Sequence, residues 1–386
     1  MTEIHNNLIR IYRYILTYGI LRTLIKVAGR KRSLLIRGVF PKIFINKNKR
    51  YISLIGCGQF GFSTISYFLL LRQGNRFLDC YDIDKERQKS TSKFWGYKEQ
   101  DDIEKILTNE KLQIVYIASN HFSHTPYSIP FISKNIDVYI EKPIAVNWEQ
   151  LSSLLRAIKY SNSVVYTGYN RPFSKAITIL DKKIEEKREA ISLACFVSGH
   201  LLPADHWYRL PEEGTRVCGN IGHWIDLAVH LMKTRGRIPE KFIISISYSD
   251  VKDFDDNISI TITTNLRDLI NIILTARSEP LEGVNETINF QCGNLIAKID
   301  DFEKMSIWEG AKFSRYRFWP KDVGHKEAIN QPYIKRKRDF EEVKISTILI
   351  LTISDMVRKQ EELKEILPFV ILSQIESNEN AYIIPM

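Results

Sequence analysis

Three glycines, Gly56, Gly58 and Gly61, stand at G-x-G-x-x-G spacing within YISLIGCGQFG, residues 51–61. That spacing suits the approach of a pyrophosphate to bare backbone. The first glycine permits a tight turn, the second leaves room for the phosphates, and the third lets a helix lie close on the preceding strand. The helix start, including Gln59 and Phe60, then offers free N–H groups and a partial positive charge to an anion. Asp82 lies 21 residues after Gly61, at the end of the apolar run Phe77–Tyr81. A carboxylate there can accept hydrogen bonds from an adenosine ribose and repels a 2′-phosphate, so NAD(H) is expected over NADP(H). Lys85 and Arg87 follow closely enough to soften that preference.

Chemistry of this kind needs a parallel sheet beneath it, and residues 51–168 supply the pattern. Apolar strand-like runs at 52–55, 77–81, 113–119, 137–141 and 163–167 alternate with helical stretches at 59–71, 84–90, 101–108, 124–133 and 148–160. The alternation predicts an α/β fold, a doubly wound parallel sheet covered on both faces. Ligands of such sheets bind beyond the C-terminal strand ends. Ser119, Asn120, Glu141, Lys142 and Gly168 therefore collect at one rim.

The pattern changes after 169. A polar helix near Lys175–Glu186 precedes strand-like runs Ile191–Val197, Phe242–Tyr248, Ile258–Thr263, Ile270–Thr275 and Glu286–Gln291, with helical spacing over Gly219–Leu231. Dense strands with short turns predict an α+β domain built on a largely antiparallel open sheet. The domains expected are a basic, partly helical extension at 1–50, a Rossmann domain at 51–168, a substrate and oligomerisation domain at 169–335, and a helical segment at 336–386 that includes Glu342–Arg358.

The charge is concentrated. Residues 1–50 carry twelve Lys/Arg against one acid, so the overall +10 belongs to the extension and the remainder is near neutral. A basic surface spread over the whole protein is excluded, and with no recognised motif nucleic-acid binding is not expected. Arg10, Arg13, Arg22 and Lys26 interrupt the apolar stretch Leu8–Ala28, which argues against a membrane-spanning helix there. Two readings stay open for the extension: a helical arm packed on the protein or a partner subunit, and an amphipathic helix at a membrane surface. The five cysteines are scattered, with no metal-ligand spacing, so no metal is expected and a reducing cytoplasm fits.

At Glu141-Lys142-Pro143, directly after a strand, the chain resembles the glucose–fructose oxidoreductase / inositol dehydrogenase (Gfo/Idh/MocA) family. LIGCGQFG at 54–61, CYDIDKER at 80–87, IASNHFSH at 117–124, VYIEKPIAVN at 138–147, GYNRPFS at 168–174 and GNIGHWIDLAVHL at 219–231 agree in order. The resemblance covers roughly 51–330. It implies reversible hydride transfer between a nicotinamide and a hydroxyl-bearing carbon of a sugar or polyol. Lys142 takes the place of the catalytic lysine, and His223 that of the histidine meeting the substrate hydroxyl. Asn170, Arg171 and Asn220 join them as substrate-binding residues. His121, His124, His206, Trp207 and Arg216 are candidates to line the cleft. Without the resemblance, Lys142 is a turn lysine and His223 a helix histidine satisfied in a core. The family often has an aspartate four residues before that histidine; here the position is Gly219. Asp226 is expected to anchor its helix rather than to catalyse.

These readings predict an NAD(P)-dependent oxidoreductase of a sugar or sugar derivative, with a nucleotide sugar of surface-glycan synthesis as the favoured substrate. Two alternatives remain: a redox-assisted lyase or glycosidase that regenerates its NAD, and a non-catalytic NAD-binding scaffold. The resemblance implies a homodimer or homotetramer. The location expected is cytoplasmic, with peripheral contact at the inner membrane surface through residues 1–50 as the second reading of the extension.

Overall fold

The computed structural model describes residues 3–39, 49–185, 187–249, 254–278 and 283–377. Glu186 of the expectations above, and residues 40–48 of the basic extension, lie outside them. The chain divides into two compact units. One takes residues 19–168 and 325–338; the other takes 1–18, 169–324 and 339–386. The divisions expected at residues 50 and 335 are therefore not where the chain separates. None of the described helices is long and apolar enough to cross a membrane.

Helix α1 (Glu3–Tyr18) falls in the second unit, where Trp319 Nε1 donates to Leu16 O (2.8 Å) and Lys321 N to Thr17 O (2.9 Å). Gly19, at φ +81°, ends it, and α2 (Ile20–Lys31) begins the first unit. A helix at this break buries one face, Thr23, Ile25, Ala28 and Gly29, at the i, i+3, i+4 spacing of an amphipathic helix. Ile25 and Ala28 join the same core as Phe62, Phe94 and Trp95. The second half of the extension is thus core-forming, because its small and β-branched residues pack while its cations lie at the edge.

The first unit follows as β1 (Ile52–Ile55), a wide π-helical turn at Gly61–Ile65 running into α3 (Ser66–Gln73), β2 (Phe77–Tyr81), α4 (Lys85–Trp95), β3 (Lys98–Glu99), α5 (Ile103–Leu107), β4 (Ile114–Ile117), α6 (His124–Ser133), β5 (Asp137–Ile140), α7 (Trp148–Lys159) and β6 (Val165–Thr167). The strands are parallel and ordered β3-β2-β1-β4-β5-β6. β1 and β4 are buried throughout, as expected of strands covered on both faces. The order reverses between β1 and β4, the switch point at which ligands of such sheets bind.

The second unit continues with α8 (Lys175–Ile184), β7 (Ile191–Ser198), α9 (Gly222–Thr234), β8 (Phe242–Tyr248), β9 (Ile258–Thr264), β10 (Leu269–Thr275), β11 (Asn285–Cys292), β12 (Leu295–Asp300), β13 (Lys304–Glu309) and β14 (Lys312–Arg317). The chain then gives α10 (His325–Ile329) to the first unit, where Tyr116 Oη donates to Ile329 O (3.0 Å) and Gln331 Nε2 to Thr167 O (2.8 Å). It ends in the second unit with α11 (Phe340–Lys359), β15 (Leu363–Ile366) and α12 (Pro368–Ser377). Nine strands among the described residues form one mixed sheet, β14-β13-β12-β11-β7-β10-β9-β8-β15, antiparallel except for β7 against β10. Burial alternates along β7 and β8, so one face is covered. α9 packs on β7 and on α11, and Asp226 accepts from Ser346 Oγ of α11 (3.0 Å), the anchoring role expected of it.

Ile25 is fully buried in the core of the first unit. Ile25→Ala should cost about 2–5 kcal/mol, the usual range for a buried Ile-to-Ala truncation. Urea unfolding measures this, and an unchanged midpoint would show that α2 is not part of that core.

Candidate functional site

The glycine turn is built by close approach. A β-carbon on Gly61 would sit 2.2 Å from Gly56 O, and one on Gly56, at φ +93°, would sit 2.4 Å from the carbonyl carbon of Ala118. A β-carbon on Gly58 would meet nothing within 4 Å. Gly56 and Gly61 are thus required by the protein's own backbone, whereas Gly58 faces open space. This is the pattern expected where phosphates approach the second glycine, and the residues present fit a dinucleotide.

Asp82 is held at the end of β2 by two main-chain donors, Cys57 N to Oδ2 (2.6 Å) and Asp84 N to Oδ1 (2.8 Å). Each carboxylate oxygen retains acceptor capacity for a ribose hydroxyl. The neighbouring cations are engaged: Arg87 with Asp84 (3.0 Å), and Lys85 with Gln88 (3.1 Å) and the Tyr81 ring. Gln59 Nε2 donates to Lys26 O (3.1 Å) and Ser63 Oγ (3.2 Å), which ties its side chain to α2, and the Phe60 ring meets His325 edge-on.

The rim residues after β4 and β5 come together as expected. Ser123 Oγ donates to Ser119 Oγ (2.6 Å) and to Asn120 O (2.9 Å), closing the turn that carries both. His124, expected to line a cleft, is instead buried. Its Nδ1 lies 2.8 Å from Pro143 O and its Nε2 3.2 Å from Ser119 O, so it joins the two strand-end turns. Burial lowers its pKa to about 4, so the ring is neutral and its one N–H can donate to only one of the two carbonyls at a time. His121 is buried beside it, with ring centroids 6.0 Å apart.

Glu141 is buried at the end of β5. Tyr139 Oη donates to its Oε1 (2.8 Å) and Lys142 N to its Oε2 (3.2 Å). Burial pushes its pKa up to about 7, against the opposing pull of the Tyr139 hydrogen bond and the Lys142 charge. Gly168 is required beside it, because a β-carbon there would lie 2.6 Å from the Glu141 carboxyl carbon. Lys142 is half-buried and precedes a cis Lys142–Pro143 bond. Lys142 thus stands beside a carboxyl group that can hold a proton near neutral pH.

The candidates in the second unit sort differently. His223 is half-buried on the first turn of α9, its ring edge-on to Tyr169 (6.3 Å) and Trp224 (6.1 Å). Asn220 lies in a π-helical turn at Val217–Ile221 and accepts from Arg216 Nε (3.3 Å). Arg216 is buried and bonded to Asp256 (2.8 Å) and His200 O (2.7 Å), so it organises its loop rather than a cleft wall. Arg171, expected to bind substrate, forms a buried bidentate pair with Glu286 (2.9 and 2.8 Å) and stacks on Trp224. Its Nε and Nη2 are engaged inside the unit. Asn170 is buried too and donates to Val323 O. His206 and Trp207 stack in a partly exposed loop (5.8 Å).

A doubly wound parallel sheet, a glycine turn open at its second glycine and an acid at the end of β2 fit a dinucleotide-binding domain. Residues 51–169 match the Gfo/Idh/MocA oxidoreductase family with an NAD-binding Rossmann fold, and part of the chain is distantly similar to inositol 2-dehydrogenases. It is 24% identical to the inositol 2-dehydrogenase of Burkholderia cenocepacia over 137 residues, 35% of this chain and 41% of that protein. The chain thus spans less than half the length of the curated relatives it matches. Among solved structures, levoglucosan dehydrogenase in complex with NADH and L-sorbose superimposes with a TM-score of 0.67 at 14% identity, covering 83% of this chain and all of that one. GenD2 from gentamicin A biosynthesis in complex with NAD gives 0.67 at 13% identity, over 83% of this chain and 98% of that one. At such identities the likeness shows the fold.

The raised pKa of Glu141 has a stability consequence. The folded protein prefers the protonated carboxyl, so this contribution is complete below about pH 4.5 and is lost as pH rises through about 7. Glu141→Gln should flatten stability across that window. Urea midpoints measured at several pH values test it, and an identical pH slope in the variant would count against a buried titrating Glu141.

Proposed function

We propose that this chain is an NAD(H)-preferring oxidoreductase acting on a hydroxyl-bearing carbon of a sugar, polyol or related derivative. The observation that carries the reading is the Glu141-Lys142-Pro143 turn at the C-terminal end of β5, in the same sheet as the open glycine turn after β1. Gly56, Gly58 and Gly61, with the turns bearing Ser119, Asn120 and Glu141, would hold the dinucleotide, and Asp82 its adenosine ribose. The nicotinamide supplies hydride acceptance and return when bound. The chain's own residues move the proton. Hydride leaves a carbinol carbon only as the O–H proton departs, and Lys142 Nζ is the group that takes it. His223 and Asn220 are the second unit's candidates for substrate contact in this reading. Arg171 and Asn170 also bond within their own unit. The names of the relatives, inositol and levoglucosan dehydrogenases, make cyclic polyols and anhydrosugars the first compounds to try, with nucleotide sugars next.

Two measurements test the reading. Fluorescence titration should show tighter binding of NADH than of NADPH, because Asp82 repels a 2′-phosphate; equal or tighter NADPH binding would overturn the preference. In a polyol and sugar panel followed by nicotinamide absorbance, Lys142→Met should keep NADH affinity within severalfold. Its turnover should fall by about a hundredfold or more, the scale of a positioned acid–base group. Near-normal turnover would remove Lys142 from the mechanism.

A further inference from the structure

The two peptide groups that meet at Cys57, between the first two glycines of the turn, are each gripped. The Cys57 N–H is taken by Asp82 Oδ2 at 2.6 Å. The Cys57 carbonyl is taken by Arg32 Nη2 at 2.9 Å, with Thr91 Oγ1 at 3.5 Å. Arg32 is the residue that ends α2, in the left-handed conformation at φ +51°, so it comes from the N-terminal extension and not from the βαβ unit. Its Nη1 reaches Ser90 Oγ and Thr91 Oγ1 of α4, both at 3.3 Å. Its guanidinium carbon lies 5.0 Å from the centre of the Phe62 ring. Burial lowers the pKa of its guanidinium, with Arg87 acting the same way and Asp82 and Asp84 acting against it.

α2 grips the same loop at two further points. Lys26 O accepts from Gln59 Nε2, and Arg22 donates to Ser63 O and to Thr64 Oγ1 (2.8 Å) in the wide turn at Gly61–Ile65. The helix approaches so closely that a β-carbon on Gly29 would lie 2.9 Å from Gln59 Oε1 and 3.1 Å from Phe62 Cδ1. None of these contacts belongs to the glycine fingerprint.

We propose that Arg32 is a positioning residue for the dinucleotide, and that α2 is a working part of the binding loop. A peptide beside a glycine has little of its own to fix its orientation. Asp82 alone would hold the Gly56–Cys57 peptide and leave the Cys57–Gly58 peptide free to swing. Arg32 supplies the second point of fixation with a charge-assisted hydrogen bond, which is stronger than a neutral one. With both peptides held, the N–H groups of the turn stay aimed at the pyrophosphate before it arrives, which reduces the ordering cost of binding. The inference rests on reading the first unit as a dinucleotide site.

The test is binding to the full-length protein. NADH and ADP-ribose should each bind about tenfold or more weakly to Arg32→Met than to the native chain, the scale of losing a hydrogen bond from a charged group. Amide exchange of residues 56–62 without cofactor should accelerate, while thermal unfolding stays near the native midpoint. Arg32→Lys keeps the charge but not the forked donor, so it should fall between the two. If the methionine variant does not fold, the lysine variant decides: weaker NADH binding supports the inference and native binding overturns it. Native affinity in Arg32→Met also overturns it, as does a loss of affinity that merely follows a lowered unfolding temperature. A native chain that binds neither NADH nor NADPH would overturn the dinucleotide reading itself, a failure seen before any variant is made.

Discussion

A β-carbon on Gly61 would sit 2.2 Å from the carbonyl oxygen of Gly56. The helix that follows β1 can rest against the end of that strand only because neither residue carries a side chain. The approach fixes where the wide turn at Gly61–Ile65 begins. It also seats Phe62 among Phe94 and Trp95, and it leaves Gly58 facing open space. The neighbouring strand end obeys the same constraint, because Gly56 is equally close to the backbone at Ala118. The switch point of the sheet is therefore set by backbone contact, and chemistry at the rim is built on a rigid floor.

On that floor the rim is fixed by buried polar groups. His124 bridges Pro143 O and Ser119 O, and so couples the turn after β4 to the turn carrying Lys142. Glu141 takes hydrogen bonds from Tyr139 and from the Lys142 amide and leaves no room for a side chain at 168. Buried polar groups cost free energy unless they are paired. Here the pairing determines which conformation the rim adopts. In the second unit, Arg171, Glu286 and Trp224 form a comparable buried cluster, and Arg216 with Asp256 fixes the loop before α9.

Much of this was legible in the sequence. α6 and β8 begin and end where the pattern places them, and the glycine turn, Asp82 and the rim residues fall at their expected strand ends. What escaped depends on distant partners. The pairing of Arg171 with Glu286, 115 positions later, had no local sign in the sequence. Residues 325–338 carry no local sign that Ile329 and Gln331 will meet Tyr116 and Thr167. β12, β13, β14 and β15 were all missed, and of these β14, KFSRYR, is cationic and mostly exposed, so it lacks an apolar alternation. α2 agrees with the first of the two readings of the extension, an arm packed on the protein, and Arg22 and Arg32 spend their charge on carbonyl and hydroxyl oxygens of the first unit.

The central claim is that the open space at Gly58 is where phosphates lie. Gly58→Val tests it most directly, because its β-carbon meets nothing within 4 Å in the protein itself. The account predicts that this variant unfolds at the native temperature and loses NADH binding by fluorescence titration. Native NADH affinity in a folded Gly58→Val protein would contradict it.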